Sequence, residues 1–439
     1  MNGALPGPRD RPGPVPLFGL LRAILSNPLD MWSREHFETP IVVTRTMLGS
    51  RVVVSDPGAI RRILIENAAN YVRDGLQQRI LRRTTGRSLF SADGAEWHQQ
   101  RRALAPFFSA EALAGYLPGM LAAADHLVAR LGATSGPVEL DRELGAATVD
   151  VLGRTILAGA LDEPAADISA SLRRFADATG AVGLGDLIGL PARLPAFRPL
   201  LAWPVLRQVR NRARRIAAAG NCALVRALRA ARDPETGRGL SPREIEDNVS
   251  TLIGAGSDTL AVALTWSVFL LAQATEVRAA VEAEVDGRAI LPDSLGRLAW
   301  TRAVSEEAMR LYPPAPLIGR MAVADDVLAG QRFAAGTVFL IAPWVVHRHA
   351  RLWSEPNAFR PERFLPGQRE SIPRGAYLPF GAGPRTCIGM GFAMQAALVL
   401  LARLVQELRF ERADERPVRL RQCVTLQPRG GLWMRVTRR

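Results

Sequence analysis

The ten residues Phe380-Gly-Ala-Gly383-Pro-Arg385-Thr-Cys387-Ile-Gly389 place a cysteine between a glycine-rich loop and an apolar run. Cys387 therefore stands just before a helix, where free backbone amides and the helix dipole lower a thiol's pKa and favour the thiolate. Such a thiolate can ligate a metal, and hydrogen bonds to its sulfur tune the electron density it donates. Gly383 and Gly389 remove side chains where the backbone turns sharply or lies against a flat group. Arg385 supplies a fixed charge on a planar fork suited to a carboxylate. A lone cysteine after a glycine-rich loop is more often a buried structural residue. Here all five fixed positions of F-x-x-G-x-R-x-C-x-G are present, a match that chance supplies on the order of 10⁻⁴ of the time in a chain this long.

Upstream of this loop lies Arg360-Pro361-Glu362-Arg363-Phe364, and before it Glu307-Ala-Met-Arg310 sets opposite charges on one helix face, with Leu311-Tyr-Pro-Pro314 following directly. By itself such a pair is an ordinary solvated ion pair. Thr251-Leu-Ile-Gly-Ala255-Gly256-Ser257-Asp258-Thr259 sits midway along an apolar pattern running from Ser241-Pro242-Arg243-Glu244, a capped helix start, to Gln273. Each glycine there costs ~1 kcal/mol against alanine. A local rule broken inside a buried helix marks a functional site, or else hydroxyls bonding back to their own helix. Trp97-His-Gln-Gln-Arg101 brings an indole N–H and a guanidinium to one helix face, although a surface helix would look the same. His98, His347 and His349 read as peripheral. No His/Cys/Asp cluster has zinc spacing, and neither a P-loop nor a G-x-S-x-G elbow is present.

In this order the segments resemble the cytochrome P-450 superfamily of haem-thiolate monooxygenases, of the soluble bacterial type, over nearly the whole chain. The resemblance implies a mainly α (α+β) fold, a helix-rich triangular prism with small β-sheets, holding haem b (iron protoporphyrin IX). It implies Cys387 as the iron ligand, within a haem-binding set of Phe380, Arg385, Gly389, Trp97, Arg101 and Arg320, the last on the strand after the Pro-Pro pair. Glu307, Arg310 and Arg363 become a structural charge network. Residues 251–259 match the oxygen-binding groove, where a helix distortion makes room for O2, and Asp258 and Thr259 match the acid and alcohol that deliver protons. Leu260 departs from the many relatives with a second hydroxyl there. The implied reaction inserts one atom of O2 into a hydrophobic small molecule. Electrons are expected from a separate ferredoxin or flavodoxin with its NAD(P)H reductase, since no fused flavin or iron–sulfur domain is evident. A peroxide-using peroxygenase and a non-catalytic haem-thiolate sensor are the alternatives; the acid–alcohol pair counts against the first and the intact groove against the second. The implied substrate pocket uses Asp74–Ser91, Gly180–Pro204, Ile253–Thr259, Ala315–Ile318 and Val424–Leu426, mostly apolar. Arg79, Arg82 and Arg83 would meet a substrate carboxylate or face solvent.

The bulk properties fit one domain over 1–439. The 439 residues are 48% hydrophobic and 22% charged, enough to fold without disulfides. Cys222, Cys387 and Cys423 are an odd number at unrelated spacings, which suits a reducing, cytoplasmic setting. The net charge of +14 comes from arginine alone, as the chain has no lysine, and the arginines are dispersed, so no nucleic-acid partner is expected. Val15–Leu25 and Leu260–Ala272 fall short of the ~20 residues that span a bilayer, and no transmembrane segment is expected. A Pro-rich lead-in (1–30) precedes a β-containing lobe (about 31–75) with a hairpin of Ile41–Thr44 and Arg51–Val54 around Gly49-Ser50. A helical lobe follows (about 96–312), interrupted by a loop-rich Gly180–Pro204. Helices are expected at Ala299–Leu311 and Ile388–Leu408, strands within Val327–Ile341, an irregular stretch at Pro356–Pro384, the ligand loop at 380–389, and a terminal hairpin at 423–436 around Gly430-Gly431. No alternating βαβ pattern appears.

Overall fold

A computed structural model describes residues 5–13, 15–46, 49–179 and 197–439. Most of the Gly180–Pro204 segment, residues 180–196, lies outside the described residues. The chain divides into two compact units. The first takes Met1–Gln78, Glu306–Cys387 and Pro417–Arg429; the second takes Arg79–Ser305, Ile388–Arg416 and Gly430–Arg439.

The first unit is built on a five-stranded sheet of Ile41–Thr46 (β1), Gly49–Val54 (β2), Tyr71–Val72 (β3), Ile318–Ala322 (β5) and Val338–Ile341 (β8), in the order β1-β2-β8-β5-β3. The β2–β8 pairing is parallel and the others are antiparallel. Val52, Val54, Phe339 and Ile341 point into the core beside Ile60, Ile63 and Leu64, where β-branched and aromatic side chains suit a pleated surface. Gly49 and Ser50 pair with Thr46 and Arg45, so they belong to the strand rather than to the turn. The lead-in is not wholly irregular either, because Leu17–Ser26 is a helix. Asp326, at the start of the strand Asp326–Leu328 (β6), is buried. It accepts hydrogen bonds from Arg62 Nη2 (2.6 Å), Asn67 Nδ2 (2.9 Å), Tyr71 Oη (2.8 Å) and the Val327 amide (2.8 Å).

The second unit is helical: Gly94–Leu104, Ala110–Gly132, Leu140–Arg154, Ala165–Thr179, Phe197–Ala219, Ala223–Ala230, Pro242–Gln273, Thr275–Val285 and Met390–Glu407. The sequence locates Pro242–Gln273 at both ends because its start is a full capping box, with Glu244 and Ser241 serving each other's backbone. Ala110–Gly132, Pro242–Gln273 and Met390–Glu407 are each long and apolar enough to cross a membrane, contrary to the expectation from shorter runs. Within the unit, Pro242–Gln273 and Met390–Glu407 are mostly buried, and their apolar surface is spent on helix packing. The terminal hairpin is also corrected. Leu426–Pro428 (β11) pairs with Leu420–Gln422 (β10) in the first unit, whereas Trp433–Arg438 (β12) pairs with Leu408–Arg412 (β9) in the second. Gly430 and Gly431, both at positive φ, lead the chain from one unit into the other instead of closing a hairpin.

Hydrogen bonds from Arg62 hold the Asp326 carboxyl below its usual pKa, against the opposing effect of burial. A carboxylate with a depressed folded pKa stabilises the fold above its unfolded pKa of about 3.9 and loses that contribution as the pH falls below it. Asp326→Asn should lower unfolding stability by about 2 kcal/mol at neutral pH, at the modest end for a buried pair because Arg62 is partly solvated. The same variant should show a shallower decline below pH 4 in denaturant titrations.

Candidate active site

Glu307 and Arg310 are fully buried one turn apart on the helix Ala299–Leu311. Their pairing is bidentate, Arg310 Nε to Glu307 Oε2 at 2.7 Å and Nη2 to Oε1 at 2.8 Å. The remaining Arg310 N–H groups donate to the carbonyls of His347 (2.7 Å), Pro356 (2.7 Å) and Ala358 (2.9 Å). All five guanidinium donors are thus used, which makes burial of the charge tolerable. Glu307 also accepts the Arg360 amide (2.8 Å), and Arg363 Nε lies 3.6 Å from Glu307 Oε1. Burial pulls the Arg363 pKa down while Glu307 opposes it. The three residues expected to form a network therefore do meet.

A hydrogen-bonded chain leads from this network to the cysteine loop. His347, whose carbonyl Arg310 holds, accepts the Leu378 amide at Nε2 (2.8 Å). Leu378 O accepts from Gly381 N (3.1 Å), and Phe380 O accepts from Cys387 N (2.9 Å). The His347 imidazole is neutral: burial, with Arg310 and Arg348 nearby, pushes its pKa down to about 3. Gly383, at φ +71°, has no substitute, because a Cβ there would lie 1.8 Å from the Leu64 carbonyl oxygen. Arg385 ends the short turn Gly383–Arg385, and Gly389 caps Met390–Glu407. Cys387 is exposed and forms no disulfide. Arg320 lies half-buried on β5, donating to the Gly319 carbonyl (2.8 Å).

In the second unit, Trp97 is buried and Arg101 half-buried one turn apart on Gly94–Leu104. Pro242–Gln273 is helical throughout. Its polar side chains bond back to carbonyls one turn earlier: Thr251 to Asp247, Ser257 to Ile253 and Thr259 to Ala255, each at 2.7 Å. Its glycines differ in use. A Cβ on Gly256 would come within 3.1 Å of Leu152, so this glycine permits close helix packing, whereas one on Gly254 would meet nothing within 4 Å. Ala255 is exposed and Gly254, Asp258 and Thr259 are not buried, while residues 260–271 are all buried. An open strip therefore lies on one face of an otherwise buried helix.

The family model for cytochrome P450 matches residues 8–179 and 205–434. The chain belongs to the cytochrome P450 family. Similar proteins include cyclooctatin synthase of Streptomyces melanosporofaciens, 32% identical across 94% of this chain and 92% of that one. Cyclooctat-9-en-7-ol 5-monooxygenase of the same organism is 31% identical, across 91% and 88%. Cytokinin hydroxylase of Arabidopsis thaliana is 30% identical, across 86% and 77%. The haem domain of a cytochrome P450DA mutant superposes with a TM-score of 0.82 at 23% identity, over 100% of this chain and 98% of that one, a likeness of fold. This cytochrome P450 is a haem-thiolate monooxygenase, and haem b is its cofactor.

The residues present suit that group. One soft thiolate with several arginines is the donor set of an iron porphyrin carrying carboxylates. Sequence reasoning missed His347, taken as peripheral yet fully buried between the charge network and the loop. Its spacing from other motifs carries no signal, since only folding brings it under Leu378. Glu307→Ala would strand Arg310 as a buried charge. It should cost about 3–5 kcal/mol, the loss typical of a broken buried pair, read as a lowered denaturation midpoint.

Proposed function

We propose that this cytochrome P450 inserts one oxygen atom from O2 into an unsaturated, largely hydrocarbon small molecule such as a cyclic alkenol. The observation that carries the substrate class is similarity along most of the chain to two bacterial enzymes, one of them named for cyclooctat-9-en-7-ol. Cys387 is the proposed iron ligand, with Phe380 and Gly389 lining the group's bed. Trp97, Arg101, Arg320 and Arg385 are proposed to bind the carboxylates, each offering an N–H donor to a negative charge. When bound, haem supplies the activation of O2 that no amino-acid side chain can perform.

The protein's own part is ligation, orientation and proton supply. Thr259 commits its one hydroxyl proton to the Ala255 carbonyl, which leaves its oxygen as an acceptor on the open strip. Asp258, next in sequence, is the acid that replenishes protons there. Leu260 is buried and apolar, so the relay has no second hydroxyl at that position. Electrons are proposed to come from a ferredoxin or flavodoxin and its NAD(P)H reductase. Three cysteines outside any disulfide favour a reducing compartment such as the cytoplasm.

A substrate screen read by the ligand-induced haem spin-state shift tests the class. Cyclic alkenols should give the shift, and a response confined to polar or charged compounds refutes the assignment. Cys387→Ser should abolish the red-shifted Soret band of the ferrous–CO complex, and its survival would remove Cys387 as ligand. Thr259→Ala should retain haem but lower product per NADPH by about tenfold or more, with the lost electrons recovered as hydrogen peroxide. Unchanged coupling would exclude the relay.

A further inference from the structure

The buried residues of helix Gly94–Leu104 are Trp97, Gln99, Gln100 and Leu104. Apolar burial is non-directional, so two hydrophobic anchors leave the rotation of this helix loosely defined. The two amides are directional, and both bond toward the start of Pro242–Gln273. Gln99 Nε2 donates to the Arg238 carbonyl (2.6 Å), and Arg238 Nη2 donates to both oxygens of Glu244 (2.6 and 2.8 Å). Gln100 Oε1 accepts from Asn248 Nδ2 (3.1 Å), and Gln100 Nε2 donates to the Arg87 carbonyl (3.3 Å). Asn248, also buried, completes the node. Its Nδ2 donates to the Glu244 carbonyl (2.8 Å), and its Oδ1 accepts the Leu89 amide (2.9 Å).

These partners fix the sense of each amide. The Leu89 N–H requires an oxygen and the Glu244 carbonyl requires an N–H, so Asn248 cannot flip, and Gln100 must match it. The pair joins three parts of the second unit: the backbone at 87–89, the helix bearing Trp97 and Arg101, and the long helix. Ala255 and Thr259 follow Asn248 at about two and about three turns, on the same face of that helix. We infer that Asn248 and Gln100 are positioning residues, their amide pair setting Trp97 and Arg101 in register with the open face at Ala255 and Thr259. The inference rests on the reading of Trp97 and Arg101 as donors to the haem carboxylates.

Haem transfer from the holoenzyme to excess apomyoglobin, measured beside the denaturation midpoint, tests the assignment. Asn248→Asp keeps the shape but turns an acceptor toward Gln100 Oε1 and the Glu244 carbonyl. This variant and Gln100→Ala should each release haem about tenfold faster, as loss of an outer partner does at other ligand sites. The double variant should release it no faster than the quicker single one, because both changes remove one link. Val281→Ala, a core truncation elsewhere in the same unit, should lower the midpoint and leave release unchanged. Should Asn248→Asp fail to fold, Gln100→Ala carries the test. Arg101→Gln separates the two levels of the argument. Faster release in Arg101→Gln with wild-type release in Asn248→Asp and Gln100→Ala overturns the positioning role alone. Wild-type release in Arg101→Gln overturns the carboxylate reading, and the positioning role with it. Equal acceleration by Val281→Ala reduces the amide pair to a stability element and also overturns the proposal.

Discussion

The Glu307–Arg310 pair is the constraint on which the cysteine-bearing unit depends. The chain from 347 to 387 has little regular secondary structure, so its carbonyls lack the ladders that satisfy backbone elsewhere. Arg310 gathers three of these carbonyls around one guanidinium, and Glu307 neutralises the charge that makes this possible. Neither residue would be stable in the interior without the other. From there His347 passes the constraint to Leu378, and the Phe380 carbonyl and the clash-free Gly383 shape the turn that ends at Cys387. The thiol's position is thus a consequence of an ion pair some eighty residues earlier in the chain.

In the second unit the long helix Pro242–Gln273 performs several tasks along its length. Its first turns hold the loop after Thr85, because Asp247 accepts the Arg87 amide and Asn248 Oδ1 accepts the Leu89 amide at 2.9 Å. Gly86 fits there only because it lacks a Cβ, which would run into the Asp247 carboxylate. Midway, the polar residues satisfy themselves within the helix and leave one strip uncovered. The final turns are wholly apolar and buried. Rigidity in a helix of this length keeps these sites at fixed separations.

Local chemistry was readable from the residues in order. The cysteine loop, the Ser241–Glu244 capping box and the Glu307/Arg310 spacing can each be read from a short motif, although only the resemblance picks out Glu307 and Arg310, with Arg363, as a network. Long-range pairing was not readable in the same way. Gly430-Gly431 has the composition of a hairpin turn, yet β11 and β12 find partners in different units, since strand pairing depends on edges made elsewhere in the chain. Asp326 gives no sign in its own neighbourhood that it will collect Arg62, Asn67 and Tyr71.

By itself the sequence determined the family, because its motifs are residue types at fixed short separations whose chemistry does not change with context. Tertiary structure alone decided that His347 underlies the cysteine loop and that Thr259 turns its proton inward to Ala255. Those outcomes depend on which surfaces meet, and burial gives a side chain its partners only after the chain has folded around it.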